Sequence, residues 1–155
     1  MAHSYISVNN SITERTICAT DSILHVFMYF FSTVLKDRKL NIKEQEIYNH
    51  YDLELVELHT SYINLKLNEI YGDDKLKSWY LLMLDEVKLL MNPYGEFIDN
   101  NYLNSLPKLN KEYSRPIPVE KLKNLINDLM WLLNKRNVYP SEDYKWMESP
   151  IDHKT

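Results

Sequence analysis

Glycine is almost missing from this chain: Gly72 and Gly95 are the only two in 155 residues. Two isolated glycines leave no room for a phosphate-cradling loop of the P-loop or G-x-G-x-x-G kind, or for the G-x-S-x-G elbow that presents a serine nucleophile. The same scarcity argues against a β-sandwich or a doubly wound sheet, whose tight turns lean on glycine, and tips the expectation towards an all-α chain. Cysteine is rarer still. Cys18 alone permits neither an intramolecular disulfide nor a cysteine metal cluster, and its neighbours in TICAT supply no basic group to activate it. A long hydrophobic run is also lacking. The most apolar stretch, 23–35, has thirteen residues and carries His25, whereas a helix needs roughly 20 to cross a bilayer. The first residues, MAHSYISVNNS, show no basic region followed by an apolar core, so no secretory signal is expected and the cytoplasm is the expected compartment.

What is present describes a globular domain. Apolar residues make up 45% and charged residues 26%, enough for one hydrophobic core spanning 1–155 and too apolar for disorder. The longest unbroken pattern is 42–71, thirty residues without glycine or proline. Ile47, Tyr51, Leu55, Leu58, Tyr62 and Leu65 recur there in steps of three and four, with Val56, Ile63, Leu67 and Ile70 as a second row, which predicts a single helix of about 45 Å. Asn41 is its expected N-cap, and Gly72 is expected to end it in the left-handed conformation.

Three further helices complete the expectation. Ser11-Ile12-Thr13-Glu14 reads as a capping box opening a helix over about 11–36. Its second half also suits a buried strand, with helix preferred because no turn glycine interrupts it. Asp73 or Asp74 caps a helix over 74–91, whose core stripe is Leu76, Trp79, Tyr80, Met83, Val87, Leu90 and Met91. Asn92-Pro93-Tyr94-Gly95 is a turn, 96–106 holds a short helix or turns, and three prolines make 107–118 an extended connection. The last helix, about 118–136, has the cleanest stripe: Leu122, Leu125, Ile126, Leu129, Leu132 and Leu133. The expected fold is therefore all-α, a single-domain irregular bundle of about four major helices with short extra helices or turns, and with 1–10 and 148–155 frayed.

No arrangement of residues announces catalysis. His50, Glu54 and Glu57 share one helix face and could offer three metal ligands, but no Glu-x-x-His pair and no second ligand-rich helix supports a bundle metal centre. A solvated acidic face explains them, so no metal and no cofactor is expected. The carboxylate pairs Asp73-Asp74, Asp85-Glu86 and Glu142-Asp143 are adjacent in sequence, which sends helical side chains in diverging directions. None of Arg15, Arg38, Arg115 and Arg136 is followed by histidine at the spacing of the helical toxin nucleases. The chain is expected not to be an enzyme.

Charge is where the sequence is uneven. The net charge is −4, yet 42–71 carries −4, 73–105 carries −3 and 106–136 carries +4. Asymmetry of this kind bears on partners. The acidic half is dotted with tyrosines, and Tyr48, Asp52, Glu54, Glu57, Tyr71, Asp73 and Asp74 form the expected partner-binding face, since tyrosine among carboxylates suits a basic protein. The alternative is a small helical regulator that binds nucleic acid through the basic segment 108–136; the acidic chain as a whole counts against that.

Small size, acidic charge, a composition rich in lysine and asparagine and the lack of a catalytic motif, as in NIKEQEIYNHYDLELVELHTSYINLKLNEIYGDD, make the chain similar to the immunity proteins of bacterial toxin–immunity systems, particularly those of contact-dependent growth inhibition. The resemblance implies a cytoplasmic, non-catalytic protein that binds and neutralises one cognate toxin domain. A nuclease is the natural target, because a cleft made positive for phosphates accepts an acidic face. No residue roles carry over with it, and neither a membrane nor a small-molecule cofactor is implied.

Overall fold

A computed structural model describes residues 3–56, 62–109, 112–133 and 140–151. The all-α expectation is overturned. The chain opens with an antiparallel hairpin of β1 (His3–Asn9) and β2 (Thr13–Thr20), and β5 (Lys145–Pro150) pairs with the other edge of β2 to give a three-stranded sheet in the order β1-β2-β5. Between them come α1 (Asp21–Leu35), α2 (Ile42–Val56), α3 (Leu67–Tyr71), α4 (Asp74–Met91), α5 (Asn100–Ser105) and α6 (Val119–Leu133). A two-residue ladder joins β3 (Phe97–Ile98) to β4 (Ile117–Pro118). The fold is mixed, helices layered on one face of an antiparallel sheet. No helix of the described residues is long and apolar enough to cross a membrane.

Residues 3–9, expected to fray, and 13–20, expected to be helical, are strands because their inward positions alternate. Ser4, Ile6 and Val8 on β1 and Arg15, Ile17 and Ala19 on β2 are buried, with polar residues between them. The reversal needs no glycine. Asn10 N–H donates to the Thr13 carbonyl (3.0 Å), and Asn10 Oδ1 accepts from the amides of Ile12 (2.8 Å) and Thr13 (2.6 Å), which is asparagine's turn chemistry. Ser11 and Glu14 therefore belong to a hairpin, not a capping box. Arg15 disguises the alternation, since it fills an apolar slot. Its Nη1 donates to the Trp131 carbonyl in the last turn of α6 (2.9 Å), and its guanidinium lies 5.7 Å from the Trp131 ring centre, so the buried charge sits at a helix C-terminus and against a π face.

The long helix over 42–71 is also overturned. It stops at Val56; residues 57–61, with Glu57 and Leu58 among them, lie outside the described set, and 62–66 are non-helical. Ile63, Leu65 and Leu67 are buried at every second position, so this piece reads as extended chain laid along the free edge of β1. Ile63 N–H donates to Ser4 Oγ (2.9 Å), and Asn9 N–H donates to Asn68 Oδ1 (2.8 Å). Lys66, at φ 58°, turns the chain into α3. Gly72 is not left-handed: its φ is −73°.

Where one face alone is apolar the expectations hold. Asn41 caps α2 reciprocally with Glu44, and Asp73 Oδ1 caps α4 by accepting from Leu76 N–H (3.1 Å). α4 spans 74–91 as expected, and all six leucine and isoleucine positions of the α6 stripe are buried. That helix begins at Val119, one residue later than expected, and residues 134–139 lie outside the described set. The run 23–35 is helical, within α1, at the centre of the core between α2, α4 and the sheet. Residues 148–150, expected to fray, belong to β5.

Candidate functional site

The residues expected to form one acidic, tyrosine-dotted face are distributed over two flanks of α2. At 3.6 residues per turn, Tyr48 and Glu54 stand roughly 120° apart around the helix, and Asp52 and Glu54 lie nearly on opposite sides. Tyr48 and Asp52 share one flank, where Asp52 meets Lys108 (3.4 Å). Glu54 faces the core side and is only 7% exposed, so it does not belong to a solvated acidic face. His50 Nε2 donates to the Asn64 carbonyl (2.6 Å) and lies 3.6 Å from Glu54 Oε1. These two residues hold the extended piece 62–66 against α2, and no group of three or more potential metal ligands occurs among the described residues.

Beside that flank stand Tyr71, Asp73 and Asp74. Asp73 is both the cap of α4 and the partner of Lys43, and the Lys43 ammonium together with the Leu76 amide holds its carboxyl below the usual carboxylate range. Lys77 sits between Asp74 (3.8 Å) and the Tyr71 ring (4.9 Å to its centre). Asp74 is the one fully solvated member, its side chain 98% exposed. Glu57 lies outside the described residues. Of the expected face, then, Asp52 and Asp73 are ion-paired within the chain, Glu54 is buried, and Tyr48 and Tyr71 rest partly on the core.

One member of each other adjacent carboxylate pair is similarly engaged. Glu86 pairs with Arg38, and Asp143 accepts from Asn124. Asp128 is wholly buried on α6, its two oxygens accepting from Ser141 N–H (2.7 Å) and Ser141 Oγ–H (3.1 Å). Burial pushes its carboxyl up to about 6, and the pair of bonds ties the approach to β5 onto α6. The basic segment forms no single band: Lys108 meets Asp52, Lys123 reaches Asn92 (2.8 Å) and Lys121 lines a separate cavity beside β5.

The surface the sequence reading passed over is the solvent face of α2. Ile42, Glu46, Asn49, Leu53 and Val56 follow one another at steps of three and four along it, and Ile42, Leu53 and Val56 are 80%, 56% and 58% exposed. The core side of this helix is supplied by Ile47, Tyr51 and Leu55. The helix thus carries aliphatic side chains on two sides, one buried in the core and the other exposed. The signal was in the sequence: Leu53 and Ile42 fit neither row of the core stripe. Glu46 borders the exposed stripe, with Asp52 on its Tyr48 flank. No protein-family model matches the chain, and no curated protein or solved structure matches it either.

Proposed function

We propose that the chain is a non-catalytic inhibitor that docks on a basic protein domain through the solvent face of α2, acting as the cytoplasmic immunity partner of a bacterial toxin, with a nuclease as the natural target. The observation that carries this reading is the second apolar stripe of α2. Ile42 at one end of this face and Leu53 with Val56 at the other are exposed aliphatic side chains, with the polar Glu46 and Asn49 between them, a mix of apolar anchors and polar groups that suits an interface. Glu46 on this face suits a positively charged partner and would speed its approach more than it tightens the final complex.

The test is co-purification and growth protection with the toxin domain encoded beside this chain. Leu53→Asp places a charge in the apolar C-terminal part of the stripe, at a side chain exposed to solvent. It should weaken the complex by about a hundredfold or more, the loss typical of a hot-spot side chain, while leaving the melting temperature unchanged. Charge reversal belongs at Glu46, Asp52 and Asp74; at Glu54 or Asp73 it would report on folding, because one is buried and the other caps α4. Unchanged affinity of Leu53→Asp would show that the partner binds elsewhere.

A further inference from the structure

The face of the sheet turned away from the helices carries a cavity of about 680 Å³, within the range of roughly 300–1,000 Å³ typical of small-molecule sites. Its floor is β2, whose outward positions Thr16 and Cys18 are small. Register sets the walls: Tyr5 of β1 and Lys145 of β5 stand directly across from Cys18 on its two sides, and Met147 stands across from Thr16. β5 pairs with β2 only as far as Lys145, so past that end the cavity continues round to Lys121 on the first turn of α6.

The charge there runs against the rest of the molecule. In a chain of net charge −4, this cavity is lined by two lysines, Lys121 and Lys145, with a single carboxylate, Asp143, which already accepts from Asn124. Neither lysine makes an ion pair with a described residue. Two ammonium groups at the rim of a concave surface attract an anion. The remaining lining selects a flat, polarisable one: the Tyr5 ring offers a π face, and the Met147 and Cys18 sulfurs favour aromatic contacts. We propose that this trough binds a planar aromatic anion, with the ring lying over Thr16 and Cys18 beside Tyr5 and the negative group between Lys145 and Lys121. Neither the α2 stripe nor any partner protein enters the argument.

Fluorescence titration of the folded chain with anilinonaphthalene sulfonate tests it. Binding should be saturable and one-to-one. Thr16→Trp, which fills the floor from an outward strand position, should abolish it, and the double variant Lys121→Glu with Lys145→Glu should weaken it at least about tenfold, as expected for losing and reversing two partly screened charges. Near-ultraviolet circular dichroism and a cooperative melt confirm that each variant is folded, and the lysine variant, altered only at exposed side chains, decides the matter if Thr16→Trp does not fold. Competition separates the sources of the anion. Displacement by benzoate points to a carboxylate ligand, and displacement by adenosine monophosphate points to a phosphate ligand. No saturable binding, or binding equally strong in the folded variants, overturns the proposal.

Discussion

α2 and α6 are both fifteen residues long, yet α6 buries nine of them and α2 buries four. The difference shows in what holds each in place. α6 is fixed by a continuous aliphatic stripe against α4, β1 and β2, so its position is set by area removed from water. α2 packs on α1 through a narrower buried side, Ile47, Tyr51 and Leu55, and is fixed further by specific bonds. The Asn41–Glu44 box starts it, and the buried Tyr51 hydroxyl donates to the Leu65 carbonyl (2.8 Å) while sharing a 2.7 Å bond with Tyr80. The opposite side of α2 carries the exposed side chains of Ile42, Leu53 and Val56.

The contrast can be broken first at Leu129, wholly buried on α6. Leu129→Ala should lower unfolding stability by about 3 kcal/mol in a denaturant melt, whereas Leu53→Ala on α2 should change it by less than about 0.5 kcal/mol. A comparable loss at both positions would mean that α2 is packed more like α6 than its exposure indicates. Next comes pH. Burial raises the Asp128 carboxyl to about 6, so the native state keeps its proton where the unfolded chain, titrating near 3.8, has released it. Stability should therefore fall as pH rises from about 4 to about 6 and level off above, by an amount on the order of 2 kcal/mol. Asp128→Asn should flatten that slope in melts across the window. A smaller loss is expected at the start of α2, where Asn41→Ala removes one half of the capping box and should cost about 1 kcal/mol; an unaltered melt would assign the helix start to packing.

Side-chain partners explain much of what a linear reading missed. Lys43 and Asp73 are thirty positions apart, and Lys108 and Asp52 are fifty-six apart. Charge summed by segment counts such carboxylates as free when the fold has already paired them, which is why an acidic face drawn from 42–74 loses Asp52, Glu54 and Asp73. The first hairpin was hidden for a different reason. Scarce glycine argues against tight turns, but Asn10 supplies the turn, and Arg15 in an inward slot breaks the apolar alternation that marks β2. Its burial is possible only because the carbonyl end and an indole of α6, more than a hundred residues later, receive it.

The sequence by itself determined α4 and α6, the caps Asn41 and Asp73 and the paucity of residues for any familiar catalytic motif, while for 23–35 it left helix and strand both open. These depend on near neighbours, within four positions along the chain, so they are legible locally. Only the tertiary structure decided that 62–66 leaves the helix. Tyr62, Ile63, Leu65 and Leu67 satisfy a helical spacing and a strand-like one equally well, and the choice falls to the edge of β1, where Ser4 and Asn68 meet unpaired backbone groups. It likewise decided that α2 keeps one apolar stripe for the core and leaves the other in water, because burial is a property of what stands opposite a side chain, and nothing in the linear order of residues states that.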